Sequence, residues 1–282
     1  MGSLIGHLVP GSMFVLISLW WFVGEILQKC QTSKSSNAKQ RSNSIQPVWY
    51  FCPSRRLSNH PIEPVIKVAL AVLGVLGELP VSKSSALFDE NGEFLSINID
   101  NYAHSVMYCF FGFTGVVDLV MWYNLLPSLP PKFDYLIFSL ALWIEGFLFY
   151  FHLHGRDELN VRLHTILYVI IFVTAAAFLL AVIYDQFIPF LCFLKAYLFS
   201  LQGSWFFQIS FVLFGPNPWK NTPSNVEFLG IAFAVHVLGL LAAHLIGHIF
   251  CHQCFIKKLR RDGGLLNDSS SEETVSMLHE QP

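Results

Sequence analysis

Charge is scarce in this chain: Asp, Glu, Lys and Arg make up 13% of its 282 residues, against roughly 25% in soluble domains. With 54% of residues hydrophobic, that scarcity excludes an ordinary water-soluble globule, which has no interior large enough for so much apolar side chain. A Gly-rich phosphate loop is also missing, and the basic residues gather in loops and at the carboxyl end rather than on a folded face. Nucleotide and nucleic-acid binding are therefore not indicated. Cysteines number six, and none falls in a loop expected outside the cytosol, so no disulfide framework is indicated either.

What the sequence does have is apolar residues in long continuous blocks. Seven are read: Leu4 to Leu27, Ile62 to Leu79, Asn101 to Leu126, Phe133 to Leu153, Val161 to Tyr184, Phe187 to Phe214 and Phe228 to Ile256. Blocks of this kind suit helices crossing about 30 Å of hydrocarbon, whereas membrane strands alternate apolar and polar residues over about ten positions. The expected fold is all-α, a polytopic membrane bundle of seven transmembrane helices. Prolines such as Pro80, Pro127, Pro130, Pro216 and Pro223 lie between blocks, where a missing amide hydrogen matters least. The short Asp185 to Pro189 connection makes the fifth and sixth blocks the pair most easily miscounted as one. The first block reads as a span rather than a signal peptide, because its apolar run is long and no basic segment precedes it.

The membrane domain is expected over 1–256, interrupted by a polar, basic, Ser-rich loop at 28–61, and is followed by a polar tail at 257–282; loop and tail have the composition of disordered segments. Basic residues orient the chain, since Lys and Arg resist translocation. Eleven fall on one side, in the first loop, the third-to-fourth connection and the tail, and four on the other: Lys83, Arg156, Arg162 and Lys220. The amino terminus is therefore expected outside the cytosol and the carboxyl terminus inside it, which seven crossings make consistent. Asn267 opens a glycosylation sequon, but on the cytosolic side.

Ionisable side chains at membrane depth are expensive and mark candidate sites. Counting from helix ends, His7, His104 and His164 enter from outside, while Glu78, His152 and His154 arrive there from inside. Six potential ligands from five helices thus share one slab near the outer face. Imidazole and carboxylate together are the ligand set of transition metals, zinc foremost, so these six are candidate metal ligands. The alternative is six side chains bonded to water and lipid at the headgroup interface. Deeper lie Glu145, about 10 Å inward of His152 on a similar face, and Gln208 and His236. Glu145 is the candidate catalytic acid or base, expected neutral or paired with His236; the competing reading of this second layer is a hydrogen-bonded lock between helices. Asp118 and Lys195 are expected to form an ion pair. His244 and His248 share a face of the last helix, open to packing or to a second metal with Asp118, and Cys251 and Cys254 beyond them are candidates for palmitoylation.

Gly6-His7, Pro10-Gly11, Trp20-Trp21, Gly77-Glu78, His104 with Met107-Tyr108, Glu145 ahead of His152-x-His154-Gly155-Arg156, His164, and the run from Leu201 to Gln208 together resemble the transmembrane protein 45 and transmembrane epididymal protein family. The resemblance covers nearly the whole membrane region. It implies a multi-pass membrane protein without an established activity, and its motif residues fall on His7, Glu78, His104, Glu145, His152, His154, His164, Gln208 and His236. The family commonly has a second His at the position of Ala103 and an Asn at that of Phe151, so the outer site here departs from its pattern. Three classes remain open: a metal-dependent membrane enzyme acting on a lipid, a carrier or sensor of metal or protons, and a trafficking scaffold. Membrane lipid is the expected surrounding, and association of identical copies is compatible with such a bundle.

Overall fold

A computed structural model describes residues 3–34, 60–79 and 86–278. Seven α-helices occupy them: α1 (Leu4–Lys34), α2 (Ile62–Glu78), α3 (Ser96–Trp122), α4 (Phe133–Phe151), α5 (Glu158–Ile183), α6 (Ile188–Phe214) and α7 (Pro223–Leu278). The described residues contain no strand beyond one isolated bridge, Phe88 to Phe94, in the α2–α3 connection. Six helices are long and apolar enough to cross a membrane; α2, with 17 residues, is shorter. The chain is thus a multi-pass, all-helical membrane protein. A single 3-10 turn, Asp185–Phe187, separates α5 from α6 where the sequence leaves least room for a break.

α7 departs from expectation. Its helix continues to Leu278, through the tail that composition reads as lacking a folded element. Extending an existing helix avoids the nucleation step that makes isolated short helices unfavourable. Most of the basic loop expected at 28–61 lies outside the described residues.

The helices pack as neighbours α1 with α6, α2 with α3 and α4 with α5; α3–α4 and α5–α6 contacts join these pairs, and α7 lies against α5, α6 and α1. Lipid tails are as apolar as leucine, so association depends on close fit and on interhelical hydrogen bonds. Both are present. A Cβ on Gly203 of α6 would stand 2.8 Å from the Gly11 carbonyl oxygen of α1, so glycine lets the two backbones approach. Hydroxyls add bonds across helices: Ser18 to the Ala196 carbonyl, Ser210 to that of Leu4, and Ser139 to that of Ala175. Phe138, Phe178, Phe199, Trp205 and Ile171 fill the centre, while Ile231, Val235, Leu238 and Ile249 leave α7 with an exposed apolar face.

Candidate functional site

The helix ends explain how polar side chains meet at one end of the bundle. Asp157 caps α5, its carboxylate accepting the Asn160 amide at 2.9 Å, and one turn further on His164 points inward. The indole of Trp205 fixes this turn by donating to the Leu163 carbonyl at 2.9 Å. α4 ends with His152 as its C-cap, and Gly155 at φ 75° turns the chain back in a conformation that glycine adopts freely. That reversal brings Arg156 beside His152. On α3, Asp100 and His104 are one turn apart and share a face.

The geometry is that of a chain of contacts. His7 Nδ1 donates to the Ser3 carbonyl at 2.9 Å and His164 Nδ1 to the Asn160 carbonyl at 3.0 Å. Carbonyls only accept, so in each neutral ring the proton sits on Nδ1 and Nε2 carries the lone pair. These two Nε2 atoms face each other at 3.4 Å, and both side chains are buried, 7% and 2% exposed. His152 follows, its ring 5.9 Å from His164 and 6.0 Å from His104. Its Nδ1 lies 3.0 Å from an Asp100 oxygen. The Arg156 guanidinium donates to His152 Nε2 at 3.0 Å and to the other Asp100 oxygen at 3.2 Å. His104 Nδ1 reaches Glu78 at 3.2 Å.

Of the six outer residues singled out in the sequence, His7, Glu78, His104, His152 and His164 join this chain, whereas His154 is exposed and stands apart. Residues two apart on a turn leaving a helix face different ways. Asp100 and Arg156 join the site from the ends of hydropathy blocks, where composition reads a charge as part of a loop. Among the described residues, no three His, Cys, Asp or Glu side chains are so placed that they could hold one metal ion; a six-ligand centre does not form.

The second layer divides. Glu145, 2% exposed, accepts from the Gln202 amide at 2.9 Å rather than pairing with His236. His236 instead contacts the Ser204 hydroxyl at 3.1 Å and the Gln208 side-chain oxygen at 3.4 Å. Gln202 and Gln208, six residues apart, lie about 240° round the helix from each other, so they serve different neighbours.

The expected partnership of Asp118 is corrected too. Lys67 of α2 bridges Asp118 at 2.9 Å and Glu63 at 3.0 Å, and both Trp20 and Trp21 indoles donate to Glu63. Lys195 lies over the Trp21 ring, 4.8 Å from its centroid, a cation–π contact. Nearby, His244 and His248 pack on Phe22, and His248 approaches Glu25 at 3.7 Å. Cys251 is partly buried, and the side chain of Cys254 lies outside the described residues.

The comparisons fit this architecture. Residues 131–249 match a family described as "Family of unknown function (DUF716)". That stretch holds Glu145, His152, Arg156, His164 and Gln202 but not His7, Glu78, Asp100 or His104. The chain is 23% identical to mouse transmembrane epididymal protein 1A over 99% of its own length and 93% of that protein's. It is 27% identical to human transmembrane epididymal protein 1 over 57% of its length and 61% of the relative's. The chain is thus similar to the transmembrane epididymal proteins, the family its motifs resemble.

Proposed function

We propose that this chain crosses the membrane seven times with its amino terminus outside the cytosol, and that its histidine end reversibly binds a transition metal ion, zinc first, as a carrier or sensor. The observation that supports the reading is the facing pair of His7 and His164 nitrogens at 3.4 Å. Two lone pairs in contact repel unless a proton or a metal ion lies between them. A tetrahedral ion about 2.0–2.1 Å from each of two imidazole nitrogens holds them about 3.3 Å apart. The carbonyls of Ser3 and Asn160 fix both rings in the required tautomer, the supporting role found around metal-bound histidines.

The pair supplies two ligands of such a site, and water would complete the coordination. A metal-dependent enzyme acting on lipid needs a positioned base as well; Glu78 and Asp100 are engaged by His104 and by His152 with Arg156, and one oxygen of Glu145 is held by Gln202. A scaffold needs no such cluster. Elemental analysis of protein purified in detergent tests the reading. Stoichiometric zinc is expected in the full chain and its loss in the His7→Ala, His164→Ala double variant; metal content equal in both would refute it.

A further inference from the structure

We infer that the hairpin between α2 and α3 is a membrane anchor: its paired Phe88 and Phe94 rings seat in the zwitterionic lipid interface at the histidine end of the bundle, while its acidic turn stays in water.

The local sequence builds the hairpin. Asp89 supplies partners that the turn's own backbone lacks, its Oδ1 accepting the amides of Asn91 at 2.8 Å and Glu93 at 2.9 Å. Gly92 follows at φ 81°, a conformation that glycine adopts freely. Backbone bonds then join the two arms, the Asp89 amide donating to the Glu93 carbonyl and the Leu95 amide to the Leu87 carbonyl, each at 2.9 Å. Phe88 and Phe94 stand opposite each other in the antiparallel bridge, and residues so paired share a face. Their ring centroids are 4.7 Å apart. Asp89 and Glu93, one step along each arm, take the other face, and Glu90 and Asn91 form an exposed tip.

Among the described residues, the bundle leaves the aromatic pair uncovered: Phe88 is 50% exposed and Phe94 64%. An exposed apolar pair on a polar-edged element marks a contact with protein or membrane. The path of the chain points to membrane. Phe94 lies four residues before Asn98, where the apolar span of α3 opens, a distance of no more than about 14 Å even fully extended. The rings therefore cannot leave the bilayer surface. α2, with 17 residues, supplies about 25 Å of helix against about 30 Å of hydrocarbon, so the arm arriving from it does not stand clear of the headgroups either. Phenylalanine at this level sinks its ring into the boundary between headgroups and acyl chains. Three carboxylates, on Asp89, Glu90 and Glu93, repel an anionic surface, which makes zwitterionic lipid the partner that fits.

The anchor bears on the site without depending on what that site binds. Asn98 Nδ2 donates to the Ala86 carbonyl at 2.7 Å, tying the root of the hairpin to the first turn of α3. Asp100 and His104 follow on the same helix, where they meet His152 and Glu78. A hairpin seated in lipid thus holds these two side chains at a constant depth.

The test places a genetically encoded environment-sensitive fluorophore at position 88, at 94 or at 90 of the full chain, in nanodiscs of phosphatidylcholine brominated on its acyl chains near the headgroup. Fluorescence is expected to be lost to bromine at 88 and 94 but not at 90, and aqueous iodide should quench at 90 alone. Size-exclusion chromatography checks folding, and the label at 94 carries the test if that at 88 disrupts the fold. Iodide quenching at 88 and 94 as strong as at 90 would place the pair in water and overturn the anchor. Shielding of both positions from both quenchers would also overturn it, because a protein surface, a second copy included, would then cover the rings.

Discussion

Lys67 of α2 and Asp118 of α3 meet at 2.9 Å within the bundle, and the same ammonium group lies 3.0 Å from Glu63 one turn away. One cation thus serves two carboxylates, and the indoles of Trp20 and Trp21 extend the network to α1. Removing it takes the bridging cation from two buried carboxylates. Lys67→Met is expected to destabilise the fold by about 3–5 kcal/mol, read as a lowered thermal unfolding midpoint in detergent. Adding Glu63→Gln and Asp118→Asn should recover most of that loss. A single variant as stable as the unaltered chain would show the network to be incidental.

The α1–α6 contact should be sensitive to one methyl-sized addition. Gly203→Ala places a Cβ 2.8 Å from the Gly11 carbonyl and within 3.0 Å of the side chains of Val15 and Phe14, so overpacking of about 1–3 kcal/mol is expected. Gly77→Ala, where nothing lies within 4 Å of the added carbon, is the matched control. Equal melting of the two variants would contradict close α1–α6 packing.

Orientation follows from the excess of basic residues on one side. Tags at the two termini should differ in protease access in sealed vesicles, the carboxyl-terminal tag being cut from the cytosolic side. A carboxyl-terminal tag shielded there would reverse the proposed topology.

Deleting everything after Arg261 should leave the bundle folded, because the neighbours of α7 within the bundle are α5, α6 and α1 and its membrane block ends by Cys251. Size-exclusion behaviour and helical content by circular dichroism check this. Aggregation of the truncated chain alone would make the tail part of the fold.

The helices were legible in the sequence because a bilayer imposes one length and one composition on each crossing. α4 begins at Phe133 and α6 ends at Phe214, where the apolar blocks begin and end. Depth along each helix was legible as well, which is how His7 and His164, 157 residues apart, came to be named together. Adjacency was not. Lys67 and Lys195 both lie at depths from which a lysine can serve Asp118, but α2 packs on α3 while α6 packs on α1, and that choice depends on side-chain fit around the bundle. Gln202 was passed over for His236 as the partner of Glu145 for the same reason. Asp100 and Arg156 were hidden differently: each lies at a block end, where hydropathy reads a charge as solvent-exposed, and the reversal at Gly155 folds Arg156 back.

X-ray absorption at the zinc edge tests the central claim most directly, because it counts imidazoles around the ion. The unaltered chain, loaded with zinc in nanodiscs, should show at least two histidine nitrogens at about 2.0–2.1 Å, with the imidazole scattering lost in His7→Ala and in His164→Ala. A spectrum of oxygen ligands alone, or one unchanged by both substitutions, would contradict the assignment of this end of the bundle as a metal site.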